Sequence, residues 1–218
     1  MRKSYFMLSV GIATCLTAPA YALDGFNSHK SHGESSLIYV SAGQQALEDD
    51  ALSFVSTMTK EGIDFLSNPE LTDEKRTEKF HKFLKANFDM KTIARFVLGR
   101  YWRSATKEQK KEYFKLFETM IVDVYAKRFG EYNGEQLDVR SARLDGERDV
   151  IVSSEIVAEN ITVSVDWRIR KKKNGEFKVV DVIVENVSMS LTQRSEFASV
   201  IQRGGGNVEV LLAHLRPE

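Results

Sequence analysis

The chain has 218 residues, of which 42% are hydrophobic and 28% are charged, which is the composition of an ordinary globular protein. Lysine plus arginine and aspartate plus glutamate number 31 each, so the chain lacks the basic excess typical of nucleic-acid-binding proteins. The length is sufficient for one full hydrophobic core, since domains commonly contain about 100 to 200 residues.

The N-terminus has the pattern of a secretory signal peptide. Arg2-Lys3 precedes the apolar run from Tyr5 to Leu16, and Ala20-Tyr21-Ala22 supplies the small residues that a signal peptidase recognises. This predicts an exported, soluble protein that is cleaved near Ala22. Cys15 is the only cysteine and lies within the signal, so the mature chain has no disulfide, cysteine nucleophile or cysteine metal ligand.

Residues 23–44 are predicted to be a flexible leader, because they are mostly small and polar and show no sustained periodicity. His29 and His32 lie in this leader without an obvious third ligand, so we predict no metal site there. The remaining residues, 45–218, are predicted to form a single domain.

The first half of that domain is predicted to be helical. Apolar residues at helical spacing predict one helix from Ala46 to Leu66 and a second from Leu71 to Asn87, with Thr72 as an N-cap. The stretch Phe88–Arg103 is predicted as a third helix, which is capped by Asp89. These helices have apolar faces that must be buried against other elements.

The third predicted helix is interrupted near Gly99, and an aromatic elbow with arginines on either side follows at Tyr101-Trp102. The segment Thr106–Gln109 has the form of a capping box and predicts the start of a long helix that continues to about Phe129. Its wide, ring-rich apolar stripe leads us to expect burial against a sheet.

The second half is predicted to be an antiparallel meander, because the apolar period changes from 3.6 to 2 and turn signals separate short strands. Mixed phases in the valine-rich last strand predict a bulge or burial on both sides of the sheet. The predicted strands are Gln136–Leu144, Asp149–Ala158, Thr162–Lys171 and Phe177–Val187. Helices are predicted at Ser195–Arg203 and Val208–Leu215, which completes an α+β layout.

The sequence offers few candidate groups for catalysis. It contains no H-x-x-x-H pair, no glycine-rich phosphate loop after a strand and no G-x-S-x-G. We therefore predict no catalytic residue, no metal and no cofactor. An enzyme that uses Asp181 and Tyr101 for proton transfer is one alternative, and a protein-binding adaptor that holds no ligand is another.

Apolar surface is abundant by comparison. The third strand presents Val163, Val165, Trp167 and Ile169 on one face, and the helices present rings. A filled core and a cavity for an apolar ligand both fit this pattern. The run Arg168–Lys173 contains five cations in six residues, which suits either a solvated turn or contact with an anionic lipid surface or acidic partner.

Two separated motifs resemble the MlaC family of exported phospholipid carriers, also described as toluene-tolerance or organic-solvent-resistance auxiliary proteins. The first is LGRYWR at Leu98–Arg103, and the second is VVDVIVENVSMSLTQRSEF at Val179–Phe197. The resemblance extends in order from about Ala46 to Leu215. The family usually has glycine at the position of Asn186, and an Asn-Tyr pair at the position of Thr192-Gln193.

This resemblance implies a fold related to the NTF2-like cone, in which helices pack on a curved four-stranded antiparallel meander and enclose an apolar pocket for acyl chains. It also implies a non-enzymatic periplasmic carrier of phospholipid. Its partners would be an inner-membrane ABC transporter complex with its lipid-binding subunit and an outer-membrane lipoprotein/porin complex. A related branch of the family is associated with hopanoid synthesis, so another apolar lipid is an alternative cargo.

Strand phase and helix stripe then predict which side chains bind the lipid. The predicted residues are Phe96, Tyr101, Trp102, Phe117, Ile121, Tyr125, Val163, Val165, Trp167, Val182, Val184 and Phe197.

Overall fold

A computed structural model describes residues 42–126, 134–158 and 161–217, which form seven helices and five strands. The predicted signal peptide, most of the leader and the last turn of the predicted long helix lie outside these residues. The helices are α1 (Ala42–Leu66), α2 (Asp73–Asn87), α3 (Met90–Leu98), α4 (Tyr101–Ser104), α5 (Lys107–Ala126), α6 (Met189–Arg203) and α7 (Val208–Leu215). The strands are β1 (Gln136–Asp145), β2 (Asp149–Ala158), β3 (Ile161–Lys171), β4 (Phe177–Val184) and β5 (Val187–Ser188).

The strands form one antiparallel sheet in the order β1-β2-β3-β4-β5, which confirms the predicted meander and the α+β class. The predicted bulge in the last long strand is also confirmed, since Val180 is the extra residue opposite the step from Arg168 to Ile169. A second bulge inserts Arg140 into β1. Bulges bend a strand and increase its twist, so both contribute to the curvature of the sheet.

The predicted fourth strand ends three residues early and gives way to a fifth strand. Glu185 and Asn186 have φ values of 49° and 64°, so they turn the chain and β5 pairs back onto β4. Asparagine is one of the few residues other than glycine that tolerates this conformation, which suits the position where the MlaC family usually has glycine.

Local capping signals predicted the starts of α2, α3 and α5. The Thr72 hydroxyl accepts from the Lys75 amide at 3.4 Å, and the backbone amides and side chains of Thr106 and Gln109 exchange two bonds of 3.1 Å, as a capping box requires. Two helices begin earlier than predicted. Helix α1 begins at Ala42, and α6 begins at Met189, where the Ser188 hydroxyl accepts from the Leu191 amide at 3.1 Å.

Most of the buried apolar side chains form two clusters. The sheet cluster joins α1 to the sheet and includes Ala51, Val55 and Met58 of the helix. The helical cluster joins α3 through α7 and has Tyr113 and Phe117 of α5 at its centre. The expectation that α5 would be buried against the sheet is wrong: α5 packs on α2, α3 and α7, and α1 covers the sheet instead.

The helical layer meets the sheet at a seam along β4. The amide of Asp89, at the start of α3, donates to the Val179 carbonyl at 2.9 Å. The Asp89 carboxylate accepts from the Thr92 amide at 3.0 Å and from its hydroxyl at 2.7 Å, and it also forms an ion pair with Lys172. One aspartate therefore both caps α3 and ties it to the β3–β4 hairpin.

We expect acid to weaken this seam, and Asp89→Asn to remove that part of the pH dependence. Burial alone would raise the pKa of Asp89, but Lys172 and the hydrogen bonds from Thr92 outweigh it and hold the pKa below its ordinary value. A carboxyl whose pKa is lower in the folded state stabilises the protein fully above the pKa of the unfolded state, about 3.9, and loses this contribution as the pH falls through the folded-state pKa.

The measurement is the free energy of unfolding in urea between about pH 7 and pH 2, because such contributions are lost below about pH 5. Asp89→Asn should give a shallower decline than the wild type. The matched control is Asp64→Asn at an exposed position of α1, which should keep the wild-type slope. Identical slopes for the wild type and Asp89→Asn would contradict the prediction.

Candidate functional site

One face of the sheet is largely apolar. The pairing register places alternate residues of each strand on this face, and Ser154 and Lys171 are its only polar members among the described strands β1 to β4. The face consists of Leu137, Val139, Ala142, Leu144, Val150, Val152, Ser154, Ile156, Ala158, Ile161, Val163, Val165, Trp167, Ile169, Lys171, Phe177, Val179, Val182 and Val184.

Helix α1 covers only one end of this face. At the covered end Val150 is 1% exposed and Ile169 is 0% exposed. Toward the β2–β3 turn, Ile156 and Val163 are only half-buried, and Ile161 is 54% exposed. The apolar face is therefore longer than its cover, and its uncovered half offers a surface that an apolar ligand would shield from water.

A cleft of about 350 Å³ lies between the second half of α1 and the first half of β1. Its size is in the range of small-molecule pockets, about 300 to 1,000 Å³. The Thr59 hydroxyl in its wall donates to the Val55 carbonyl at 2.9 Å, so this polar group is satisfied within the helix. The lining residues are Ser56, Thr59, Lys60, Ile63, Leu137 and Val139.

The polar atoms at the centre of the apolar face are also satisfied internally. The Trp167 indole N–H donates to the Ser154 hydroxyl at 2.9 Å, and that hydroxyl donates to the Val165 carbonyl at 2.9 Å. Ser154 is 1% exposed, so this chain of hydrogen bonds fixes the tryptophan ring on the face. The face thus presents hydrocarbon with no polar side chain waiting for a partner.

The structure separates the twelve predicted lipid-binding residues into three groups. Five lie on the apolar face of the sheet, namely Val163, Val165, Trp167, Val182 and Val184. Five belong to the helical cluster, namely Tyr101, Trp102, Phe117, Ile121 and Phe197. Phe96 and Tyr125 lie at the surface, where they are 40% and 42% exposed.

The helical group lies in closely packed surroundings. Phe117 is 1% exposed and meets Phe197 in an edge-on contact with ring centres 6.3 Å apart. Trp102 packs on Phe114 with ring centres 5.2 Å apart. Such contacts stabilise the fold by filling space, and they set this group apart from the open sheet face.

Sequence reasoning missed the cleft residues of α1 and β1. Thr59 and Ile63 lie in the segment Ala46–Leu66 that was predicted as a helix, but the wide apolar stripe of α5 led us to expect that α5 would cover the sheet. Leu137 and Val139 alternate as a half-buried strand should, and this alternation is the signal that could have placed them on the apolar face.

The two candidate proton-transfer groups have structural partners. Asp181 accepts from the amides of Val182 and Ser190 at 2.9 and 3.1 Å and from the Ser188 hydroxyl at 2.6 Å, so it holds the start of α6. The Tyr101 hydroxyl accepts from Arg100 at 2.8 Å.

Within residues 42–126, 134–158 and 161–217, no three acidic, histidine or cysteine side chains are grouped so that they could hold a metal ion. No helix in the same ranges has the length and apolarity to cross a membrane.

The basic run at the β3–β4 hairpin is largely neutralised by aspartates. Arg170 forms two hydrogen bonds of 2.7 Å with Asp149, and Lys171 lies 3.5 Å from Asp50. Arg168 pairs with Asp145, and Lys172 pairs with Asp89. Four of the five cations thus connect elements of the fold.

The chain is similar in sequence and structure to known proteins. The sequence model of the family described as "MlaC protein" matches residues 56–217. The chain is 28% identical over 114 residues to the intermembrane phospholipid transport system binding protein MlaC of Haemophilus influenzae, covering 50% of this chain and 53% of the relative. It is 27% identical over 110 residues to the toluene tolerance protein ttg2D of Pseudomonas putida, covering 50% and 51%.

The chain therefore spans about half the length of the curated relatives it matches. A similar solved structure is that of a phospholipid-binding protein from Ralstonia solanacearum in complex with a phospholipid, with a TM-score of 0.66 and 25% identity. The match covers 76% of this chain and 94% of that one. Since the family match extends over well more than half of the sequence, the chain belongs to the MlaC family.

Proposed function

We propose that this protein is a periplasmic carrier that shields the acyl chains of a phospholipid on the open half of its apolar sheet face and in the adjoining α1–β1 cleft. The observation that carries the proposal is the half-covered face, on which Val163 and Ile156 are only half-buried and Ile161 is largely exposed. Bound phospholipid in a structurally similar protein supports the same class of ligand.

The physical need for such a surface is large. Each CH₂ of an acyl chain is worth about 0.8 kcal/mol when it leaves water, so a free phospholipid does not cross an aqueous compartment unshielded. Hydrocarbon with satisfied polar atoms, as around Ser154 and Trp167, is the appropriate lining, because an unpaired polar group there would lose its water without compensation. The charged headgroup can remain in solvent.

The proposed site contains the five predicted residues of the sheet face together with the cleft residues Thr59, Ile63, Leu137 and Val139. We place the predicted residues of the helical cluster, such as Phe117 and Phe197, behind this site as its support. Binding without catalysis is the proposed activity, in keeping with the structural roles of Asp181 and Tyr101.

We further propose that the carrier exchanges lipid with an inner-membrane ABC transporter complex through its lipid-binding subunit, and with an outer-membrane lipoprotein/porin complex. The N-terminal signal pattern, the MlaC family match and the name of the Haemophilus relative as a binding protein of an intermembrane transport system support this part. The carrier itself needs no energy source, since directionality would come from its membrane partners.

Native mass spectrometry of protein purified from the periplasm tests the proposal. The expected spectrum contains a protein–lipid complex, and analysis of the extracted lipid distinguishes a phospholipid from a polycyclic lipid such as a hopanoid. The stripped protein should also take up phospholipid from vesicles. A homogeneous ligand-free protein that takes up no lipid from vesicles would overturn the proposal.

A further inference from the structure

A second surface combines exposed apolar side chains with unpaired cations. It lies on α3, α4, α6 and the start of α5, and it is called here the basic-aromatic patch. Its members are Arg95, Phe96, Trp102, Lys110, Leu191 and Arg194. This surface is distinct from the apolar sheet face and from the basic run of the β3–β4 hairpin.

The cations of the patch lie on aromatic rings. The Arg194 guanidinium carbon is 5.1 Å from the ring centre of Phe96, and the Arg95 guanidinium carbon is 5.8 Å from that of Trp102. The Lys110 ammonium lies 5.1 Å from the same indole. These cation–π contacts orient the side chains without neutralising their charges.

The α3–α4 part of the patch lies in a stretch of sequence without acidic residues. From Met90 to Lys107 the chain has five cations and no aspartate or glutamate. Among the described residues, no ion pair within 4.0 Å includes Arg95, Lys110 or Arg194. The formal charge of the whole chain is +0, so this local excess of positive charge is balanced elsewhere.

The position of Arg194 depends on Gly99. This glycine ends α3 with φ +58°, and a Cβ at its position would lie 2.8 Å from Nε of Arg194. The missing side chain lets the guanidinium cross the backbone and reach Phe96. The glycine of the LGRYWR motif thus both lets the chain turn at the end of α3 and leaves room for Arg194 in the patch.

The exposed apolar side chains of the patch favour a lipid bilayer over an acidic protein as its binding partner. Phe96 is 40% exposed and Leu191 is 54% exposed, and they lie among the cations at the surface. Aromatic and aliphatic side chains enter the interfacial region of a membrane, while neighbouring lysines and arginines are attracted to anionic headgroups. A partner that offered only carboxylates would leave both apolar side chains unused.

We propose that the basic-aromatic patch docks the protein on an anionic lipid bilayer. The patch would hold the protein at the membrane surface through headgroup contacts and shallow insertion of Phe96 and Leu191. This interaction requires no occupant in the sheet cleft, so it stands apart from the proposed lipid carriage.

Flotation of the purified protein with vesicles tests this proposal. The probe is a pair of vesicle types, one of pure phosphatidylcholine and one with about a third phosphatidylglycerol. The wild type should bind the anionic vesicles more tightly, and binding should weaken as salt rises. The double variant Arg95→Glu with Arg194→Glu should bind at least about 30-fold more weakly, because each cation near an anionic surface contributes about 1 kcal/mol.

A matched charge reversal controls for net charge. Lys75→Glu with Lys79→Glu changes two exposed lysines of α2 that form no described ion pair, and should leave vesicle binding unchanged. Phe96→Ser with Leu191→Ser should weaken binding even though the charge is retained. Circular dichroism identifies variants that fail to fold. Lipid uptake by the wild type without selectivity between the two vesicle types would support the carrier function and contradict this proposal. Equal wild-type binding to both vesicle types, or equal losses in the two charge-reversed variants, would overturn the proposal.

Discussion

Val163→Asp is expected to lower phospholipid retention at least about 100-fold while leaving the protein folded. The side chain is half-buried on the open half of the apolar sheet face, so in the empty protein the carboxylate can remain in contact with water. An acyl chain that covered it would bury an unpaired charge, which costs several kcal/mol, and each 1.4 kcal/mol is a factor of ten in affinity. Binding of a fluorescent phospholipid measures this loss.

The neighbouring residue provides the control. Thr162→Asp introduces the same charge into the same strand, but Thr162 is exposed and points to the opposite face of the sheet. This variant should retain lipid as the wild type does. A similar loss in both variants would show that a charge in β3, rather than on the apolar face, weakens binding, and would contradict the proposed site.

Phe117→Ala is expected to lower the free energy of unfolding by about 3 to 5 kcal/mol, because it removes a fully buried ring from the helical cluster and leaves a cavity. The ring is 1% exposed and contacts Tyr113 and Phe197. Urea denaturation measures the loss. At temperatures where the variant is folded, its lipid affinity should remain within a few-fold of the wild type.

Phe96→Ala is the corresponding change at an exposed ring, and surface substitutions of this kind usually change stability by about 0.5 kcal/mol or less. If Phe117→Ala kept the wild-type stability but bound lipid much more weakly, Phe117 would belong to the binding site. The comparison therefore decides whether the helical cluster supports the site or forms part of it.

Features set by neighbouring residues could be predicted from the sequence. The caps at Thr72 and Asp89 and the capping box at Thr106 follow from side chains that accept from amides three positions away. The alternation in β3 placed Val163, Val165 and Trp167 on one face because a strand has only two faces. Both signals are local, and both are confirmed.

The arrangement of the layers could not be predicted in the same way. The apolar stripe of α5 shows that this helix must be buried but does not say against which element. Its rings found partners in Phe80 and Phe197 of other helices, which left α1 to cover the sheet. The cleft could not be located from the sequence, because it depends on how α1 packs against β1.

The start of α6 could not be predicted, because the residues before it fit either a longer β4 strand or the turn that precedes the helix. Val187 and Ser188 continue the valine-rich pattern of β4, so the strand was predicted to extend to Val187. The chain instead turns at Glu185-Asn186, a pair without the glycine that usually signals such a turn. Asp181 then accepts from the Ser190 amide across that turn. No pattern of neighbouring residues predicts this contact.

The placement of α1 has a consequence for how the protein assembles. Strands β1 to β4 follow one another in the sequence with few residues between them, so their pairing closes small loops of chain. By contrast, the Glu48 carboxylate of α1 accepts from the Leu144 amide of β1 at 2.9 Å, across 96 positions. Contacts between distant positions pay a larger loop-closure entropy and slow folding. The helix that borders the cleft is thus joined to the sheet by one of the longest loop closures in the domain, and the hairpins can form before it docks. The proposed binding surface would then exist, uncovered, on the sheet before the fold is complete.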